Sequence, residues 1–215
     1  MYVSPNIVVG FHGCDQSIFD LVVREGKALT NSENDYDWLG HGIYFWEGSH
    51  KRALDWAKNN KGIKDPAVVG AFIKLGNCID LLDSEYTEQV KSTYEILRLE
   101  FDTLGKELPK NKAFKDKISF VRQLDCQVIL RLQRFNNERI ANDLALSNLT
   151  GQNKRKIQNH PAFIDSVRGM FPEGRELYSG AGFRDKNHIQ LCVVNPNCII
   201  GYFDPISPNQ WYKKI

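Results

Sequence analysis

Three stretches of the chain gather side chains that can hydrogen-bond, stack or exchange protons. They are Phe11-His12-Gly13, then Gly40-His41-Gly42-Ile43-Tyr44-Phe45, and finally Ile189-Gln190-Leu191-Cys192-Val193-Val194-Asn195-Pro196. A histidine can donate, accept or transfer a proton near neutral pH. A tyrosine offers a flat ring for stacking, and a glutamine amide both donates and accepts. Each residue alone has a plain structural reading, so their order and setting carry the argument. The five cysteines, Cys14, Cys78, Cys126, Cys192 and Cys198, are widely spread with no CxxC pair. That pattern points away from zinc and disulfides and toward reduced thiols, so no metal is expected. Cys14 follows His12 by two positions, but nearness in sequence does not by itself make a nucleophile and its base. It is read as a small half-buried residue.

The surrounding pattern predicts the elements that must hold these residues. Residues 7–11, Ile-Val-Val-Gly-Phe, form a β-branched run that reads as a buried strand delivering His12 and Gly13 at its end. Ile18, Leu21 and Val22 recur at helical spacing, and residues 30–37 are an Asn/Asp/Ser-rich loop. A strand with a glycine entry then carries Tyr44, and Ser49 is placed to cap a helix bearing Ala53, Leu54, Trp56 and Ala57. Residues 67–75 read as a strand that turns at Gly76-Asn77. Helical spacing dominates a middle insertion, about residues 84–150, through Val90, Tyr94, Leu97, Phe101 and Leu104, then Ile118, Val121, Val128 and Leu132. Pro109 and Lys106, Lys110, Lys112, Lys115 and Lys117 mark its break, a solvated connector or a phosphate-binding cluster. Residues 189–194 and 199–203 return to strand across Asn195-Pro196-Asn197. Alternating strands and helices with antiparallel pairing predict an α+β domain over residues 1–215.

In this order the three motif segments resemble the ADP-ribosyltransferases of the diphtheria-toxin and poly(ADP-ribose) polymerase type, whose signature is His-Tyr-Glu on three strands. Phe11-His12-Gly13 resembles the strand-end His-Gly. Gly40-His41-Gly42-Ile43-Tyr44-Phe45 resembles the Gly-x-Gly-Ile-Tyr-Phe strand, with the interval from Tyr44 to Ala53 matching. Gln190 falls where the family's glutamate stands, five positions before Asn195-Pro196. The resemblance spans roughly residues 7–80 and 160–204. It implies the ADP-ribosyltransferase fold, two packed and mostly antiparallel sheets around an NAD cleft with a helical insertion.

The same resemblance implies NAD as co-substrate and a glycosyl transfer. His12 would bond the adenosine ribose, Gly13 would let the backbone approach the nicotinamide carboxamide, and Gly42 belongs to the same binding strand. Tyr44 would stack on the cationic nicotinamide ring, an interaction of about 0.5–2 kcal/mol. Gln190 would orient the reacting ribose, keeping the hydrogen bond of a glutamate and losing its charge. That departure implies transfer of a single ADP-ribose rather than a polymer. It also leaves open an inactive NAD or ADP-ribose binding module, or an NAD glycohydrolase. The family's second aromatic falls on Asp55, with Trp56 one residue later as a substitute, and Arg52 stands where a serine is frequent and would meet the pyrophosphate. In the glycine-rich stretch of residues 172–187, Glu173, Glu176 or Asp185 could supply the missing carboxylate, or the loop is simply solvated.

Composition sets the outer limits. The chain has 215 residues, 42% hydrophobic and 25% charged, enough for one core. Lys plus Arg number 28 against 26 acidic residues, so net charge does not argue for nucleic acid or membrane. No leader or membrane span is expected, and a cytoplasmic location follows. Compact relatives of this type are commonly toxins of toxin–antitoxin or antiphage systems. The expected partners are therefore a macromolecular acceptor (RNA, DNA or protein) and an antitoxin protein.

Overall fold

A computed structural model describes residues 7–113 and 120–205. Its centre is a mostly antiparallel sheet of seven strands, joined by helices and a small two-stranded hairpin, so the molecule is of mixed α+β class. β1 (Ile7–Asp15), β2 (Ile43–Glu47), β3 (Pro66–Lys74), β4 (Cys78–Asp80), β7 (Ser166–Phe171), β8 (His188–Val193) and β9 (Ile199–Phe203) build the sheet, and β5 (Asn111–Ala113) with β6 (Phe120–Arg122) makes the hairpin. The sheet order is β4-β7-β8-β2-β1-β3-β9, with β4 and β7 parallel and every other pair antiparallel. The mostly antiparallel pairing is as expected, and seven of the described strands are joined in one ladder. Its two halves, β4-β7-β8-β2 and β1-β3-β9, meet where β1 and β2 pair only at Gly10–Glu47 and Phe11–Trp46.

The apolar runs become strands because both faces of the central ladder are covered. Phe45, Val69, Ala71, Ile73, Leu191 and Val193 are buried on one side, with Phe19 and Val22 from α1 (Gln16–Phe19) and the π-helical turn Asp20–Arg24. On the other side Leu39, Ile79, Val167 and Cys192 pack with Ile129 and Ile164. α2 (His50–Asn59) lies against β1 and β3 through the fully buried Ala53 and Ala57. The approach is close: a Cβ on Gly13 would fall 2.3 Å from the Ala53 carbonyl oxygen. Glycine at position 13 is thus required by the packing of α2, whatever else it does.

Among the described residues the insertion holds α3 (Ser84–Thr103), the strands β5 and β6, and α4 (Gln123–Asp143), with α5 (Gly151–Gln158) following. Arg131 of α4 grips Glu100 of α3 by three bonds of 2.6–3.2 Å. Several expectations change. β1 runs on through His12 and Gly13 to Asp15, because it pairs residue by residue with β3 from Ile7–Lys74 to Asp15–Pro66. Ser49 occupies the N-cap of α2 without a side-chain bond to it. Val121 lies in β6 rather than in a helix, while Ile118, Lys115 and Lys117 fall outside the described residues, as do residues 1–6 and 206–215 of the expected domain. Among the described residues no helix is long and apolar enough to cross a membrane.

Candidate active site

The junction between β1 and β2 positions the site. Past Phe11–Trp46 the backbone ladder stops, and the His12 imidazole takes over, with Nδ1 donating to the Tyr44 carbonyl at 2.8 Å. A carbonyl can only accept, so the proton sits on Nδ1 and Nε2 is left as an acceptor. Burial holds the His12 pKa below its usual value, with the carbonyl bond opposing in part, so the ring is neutral at pH 7. The gap opens into a cleft of about 390 Å³ whose lining includes His12, Gly13, Gly42, Tyr44, Trp56 and Gln190. Residues from three strands and a helix, far apart in sequence, thus share one cavity.

Tyr44 is locked by its hydroxyl, which donates to the Gly40 carbonyl at 2.8 Å and accepts from the Leu39 amide at 2.9 Å. Burial pushes its pKa far up, so the phenol stays neutral and its ring is what it offers to a ligand. A Cβ on Gly42 would lie 2.5 Å from the Val193 carbonyl oxygen, so this glycine lets β2 begin flush against β8. Gln190 stands opposite Trp46 of β2 and Gly169 of β7. Its Oε1 accepts from the Trp38 indole at 2.5 Å, which fixes the amide and turns its Nε2 hydrogens into the donors a ligand would meet.

Trp56, 41% exposed, tilts against Trp46 at 5.4 Å between ring centroids. Trp46 also lines the cleft and is 4% exposed, yet its indole N–H has no partner among the described residues. An unpaired buried donor costs about 1–3 kcal/mol, a cost that a ligand acceptor in the cleft would relieve. Arg52 does not join the site. Its guanidinium donates to Asp55 at 2.6 Å and to Glu173 at 2.7 Å, outside the cleft lining, and Asp55 also receives Lys186 at 2.9 Å. Glu176 accepts from the Gly180 amide and Asp185 from the Arg175 amide, so the three loop acids are engaged away from the cleft.

Further cleft residues, Asp37, Trp38, Phe171 and Arg122 among them, are not singled out by the sequence. Asp37, 8% exposed, is the acidic side chain among the described lining residues, and its carboxylate accepts from the Asn34 amide at 2.9 Å. Trp38 fixes Gln190, and Phe171 ends β7 with its ring stacked on His188 at 5.4 Å. Arg122, at the end of β6, sets its guanidinium 4.5 Å from the Phe171 ring centroid and 5.2 Å from that of Trp38. Trp38 and Trp46 flank the Gly-x-Gly-Ile-Tyr-Phe run, and their bulk beside a motif strand was a usable signal. Arg122 gave none, because nothing local links the insertion to the cleft. No group of three or more His, Cys, Asp or Glu among the described residues is placed to hold a metal ion.

The chain is similar to an uncharacterized protein of Methanocaldococcus jannaschii, at 26% identity over 207 residues that cover 88% of this chain and 83% of that protein. No protein-family model matches the chain, and no solved structure matches it.

Proposed function

We propose that the chain is an NAD-dependent mono-ADP-ribosyltransferase of the ADP-ribosyltransferase fold, transferring one ADP-ribose to a nucleic acid or protein. The observation that carries this reading is the meeting of His12, Tyr44 and Gln190 in one cleft at the parting of β1 and β2. The residues suit the ligand. His12 Nε2 accepts from a ribose hydroxyl, the Tyr44 ring takes the nicotinamide face, and the Trp46 indole supplies a waiting donor. Gln190 bonds the nicotinamide ribose through Nε2.

In the transfer, the bond from ribose C1′ to the nicotinamide nitrogen breaks, nicotinamide leaves with the electron pair, and a nucleophile of the acceptor bonds C1′ and loses its proton to water. Positive charge develops on the ribose, and a nearby carboxylate lowers that barrier. Gln190 cannot provide the charge, and the loop acids lie outside the cleft, so Asp37 takes this role.

The test is incubation of the protein with adenylate-labelled NAD and a cell extract. Label in protein or nucleic acid supports transfer and identifies the acceptor class. Release as free ADP-ribose would indicate a glycohydrolase, and label left in NAD would indicate a binding module. The resemblance also implies a bacterial toxin held in check by a partner protein. Wild-type expression is then expected to arrest growth where Tyr44→Ala at equal level does not.

A further inference from the structure

Two buried polar atoms beside the cleft have complementary needs. Among the described residues the Trp46 indole N–H has no acceptor and Nε2 of His188 has no donor, although their rings lie 6.2 Å apart between centroids. Nδ1 of His188 donates to the Lys186 carbonyl at 2.8 Å, so the proton is fixed there and Nε2 carries the lone pair. The register puts both rings on the face of Gln190. Trp46 stands directly opposite Gln190, and His188 lies two residues before it on β8, about 7 Å along the same face. His188 is opposite Phe171, a cleft residue whose ring stacks on the imidazole.

A leftover donor beside a leftover acceptor is the complement of a group that both accepts and donates. The His188 side chain is 1% exposed, so that group must be small. Water suits it, since buried waters make about three hydrogen bonds to polar groups of this kind. A water that accepts from Trp46 and donates to His188 keeps one lone pair for a further donor. The imidazole is also fit to take a proton. Burial holds its pKa below the usual value and Arg52 of α2 acts the same way, while the Lys186 carbonyl and Glu173, 3.8 Å from Nδ1, oppose them in part.

We infer that Trp46 and His188 hold a water at the reacting end of the cleft, and that His188 is the proton acceptor of the transfer, acting through that water. This deepens the transfer proposed above and rests on it. As the acceptor's nucleophile bonds C1′ and nicotinamide leaves with the electron pair, the nucleophile's proton passes to the water oxygen. The water's own hydrogen passes to Nε2, which restores the water and leaves an imidazolium with Glu173 beside it. Solvent takes that proton once product has left.

The test follows ADP-ribose transfer from labelled NAD between about pH 5 and about pH 9 in wild type, His188→Gln and Trp46→Phe, with thermal melts to show that each is folded. Glutamine can hydrogen-bond at this place but cannot take the proton. His188→Gln is expected to lower kcat by roughly 10²-fold with KM for NAD unchanged, and to lose the decline in kcat that wild type shows on the acid side. Trp46→Phe, which keeps a ring and removes the N–H, should lower kcat less and keep the acid decline. Unaltered kcat in either variant would overturn the inference and leave the transfer reading standing. A fall in kcat with the acid decline intact in His188→Gln, or a change confined to KM, would overturn it too, since His188 would then only prop the wall. Should His188→Gln not fold, nitrogen NMR of the wild-type imidazole with an unreactive NAD analogue bound decides: a His188 midpoint equal to that of kcat supports the inference, and a different one overturns it. Wild type that releases no ADP-ribose from NAD at any pH would sink the transfer reading and the inference with it.

Discussion

The two edges of β1 meet their neighbours in opposite ways. Toward β3 the backbone pairs along the whole strand, from Ile7 to Asp15, and Ala67, Val68, Val69, Ala71 and Ile73 of β3 are buried. Toward β2 the pairing covers Gly10 and Phe11 alone, and the His12 side chain carries the next link. Peptide groups join the closed edge, which leaves no room for a ligand. At the open edge a side chain does the joining, so strand separation, a neutral imidazole and a cavity arise from one local change. The cleft opens where the sheet is least continuous.

The largest expected effect tests the open edge. Asp37→Asn should slow ADP-ribose transfer by roughly 10² to 10³ with NAD affinity almost unchanged, as removal of a preorganised polar group at a charge-developing centre does. Gln190→Ala should act similarly. Transfer at the wild-type rate in Asp37→Asn, measured with labelled NAD, would return the charge to another residue.

The next effect probes the packing beneath the cleft. Gly13→Ala places a methyl 2.3 Å from the Ala53 carbonyl, so α2 must move, at a cost of about 1–3 kcal/mol. Gly62→Ala, whose nearest neighbour would be the flexible Asn60 side chain at 3.3 Å, is the mild control. Thermal melts giving equal losses for both would show that α2 is not seated as described.

The smallest effect is in pH. Burial lowers the pKa of both His12 and His188 below 6.5. As pH falls through 6.5, the unfolded chain takes up protons that the folded rings refuse, so stability is full above that value and declines below it. Melting temperature should therefore drop between about pH 7 and about pH 5, and His188→Asn should show a shallower drop. A slope unchanged by the substitution would remove His188 from this account.

Much of this contrast was readable beforehand. β1, β2, β3, β8 and β9 announce themselves through β-branched and aromatic runs, and the motif spacing picked out His12, Tyr44 and Gln190 on three of them. β7 was missed because its polar residues look wrong for a buried strand. Ser166 is satisfied by donating to the Leu75 carbonyl at 2.6 Å, and Arg168 by Glu47 at 2.6 Å and Asp80 at 2.8 Å, partners distant in sequence. Arg52 invited a ligand role for the converse reason, since its partner Glu173 lies on a remote loop. Asp37, Arg122 and Phe171 come from a loop, a hairpin and the unread strand, so only folding brings them to the cleft.

The most direct measurement is calorimetric titration of NAD into wild type and His12→Ala. The account predicts binding by wild type at or below about 1 mM, with most of it, and of the accompanying rise in melting temperature, lost in His12→Ala. The absence of any NAD binding by folded wild-type protein at that concentration would contradict the account.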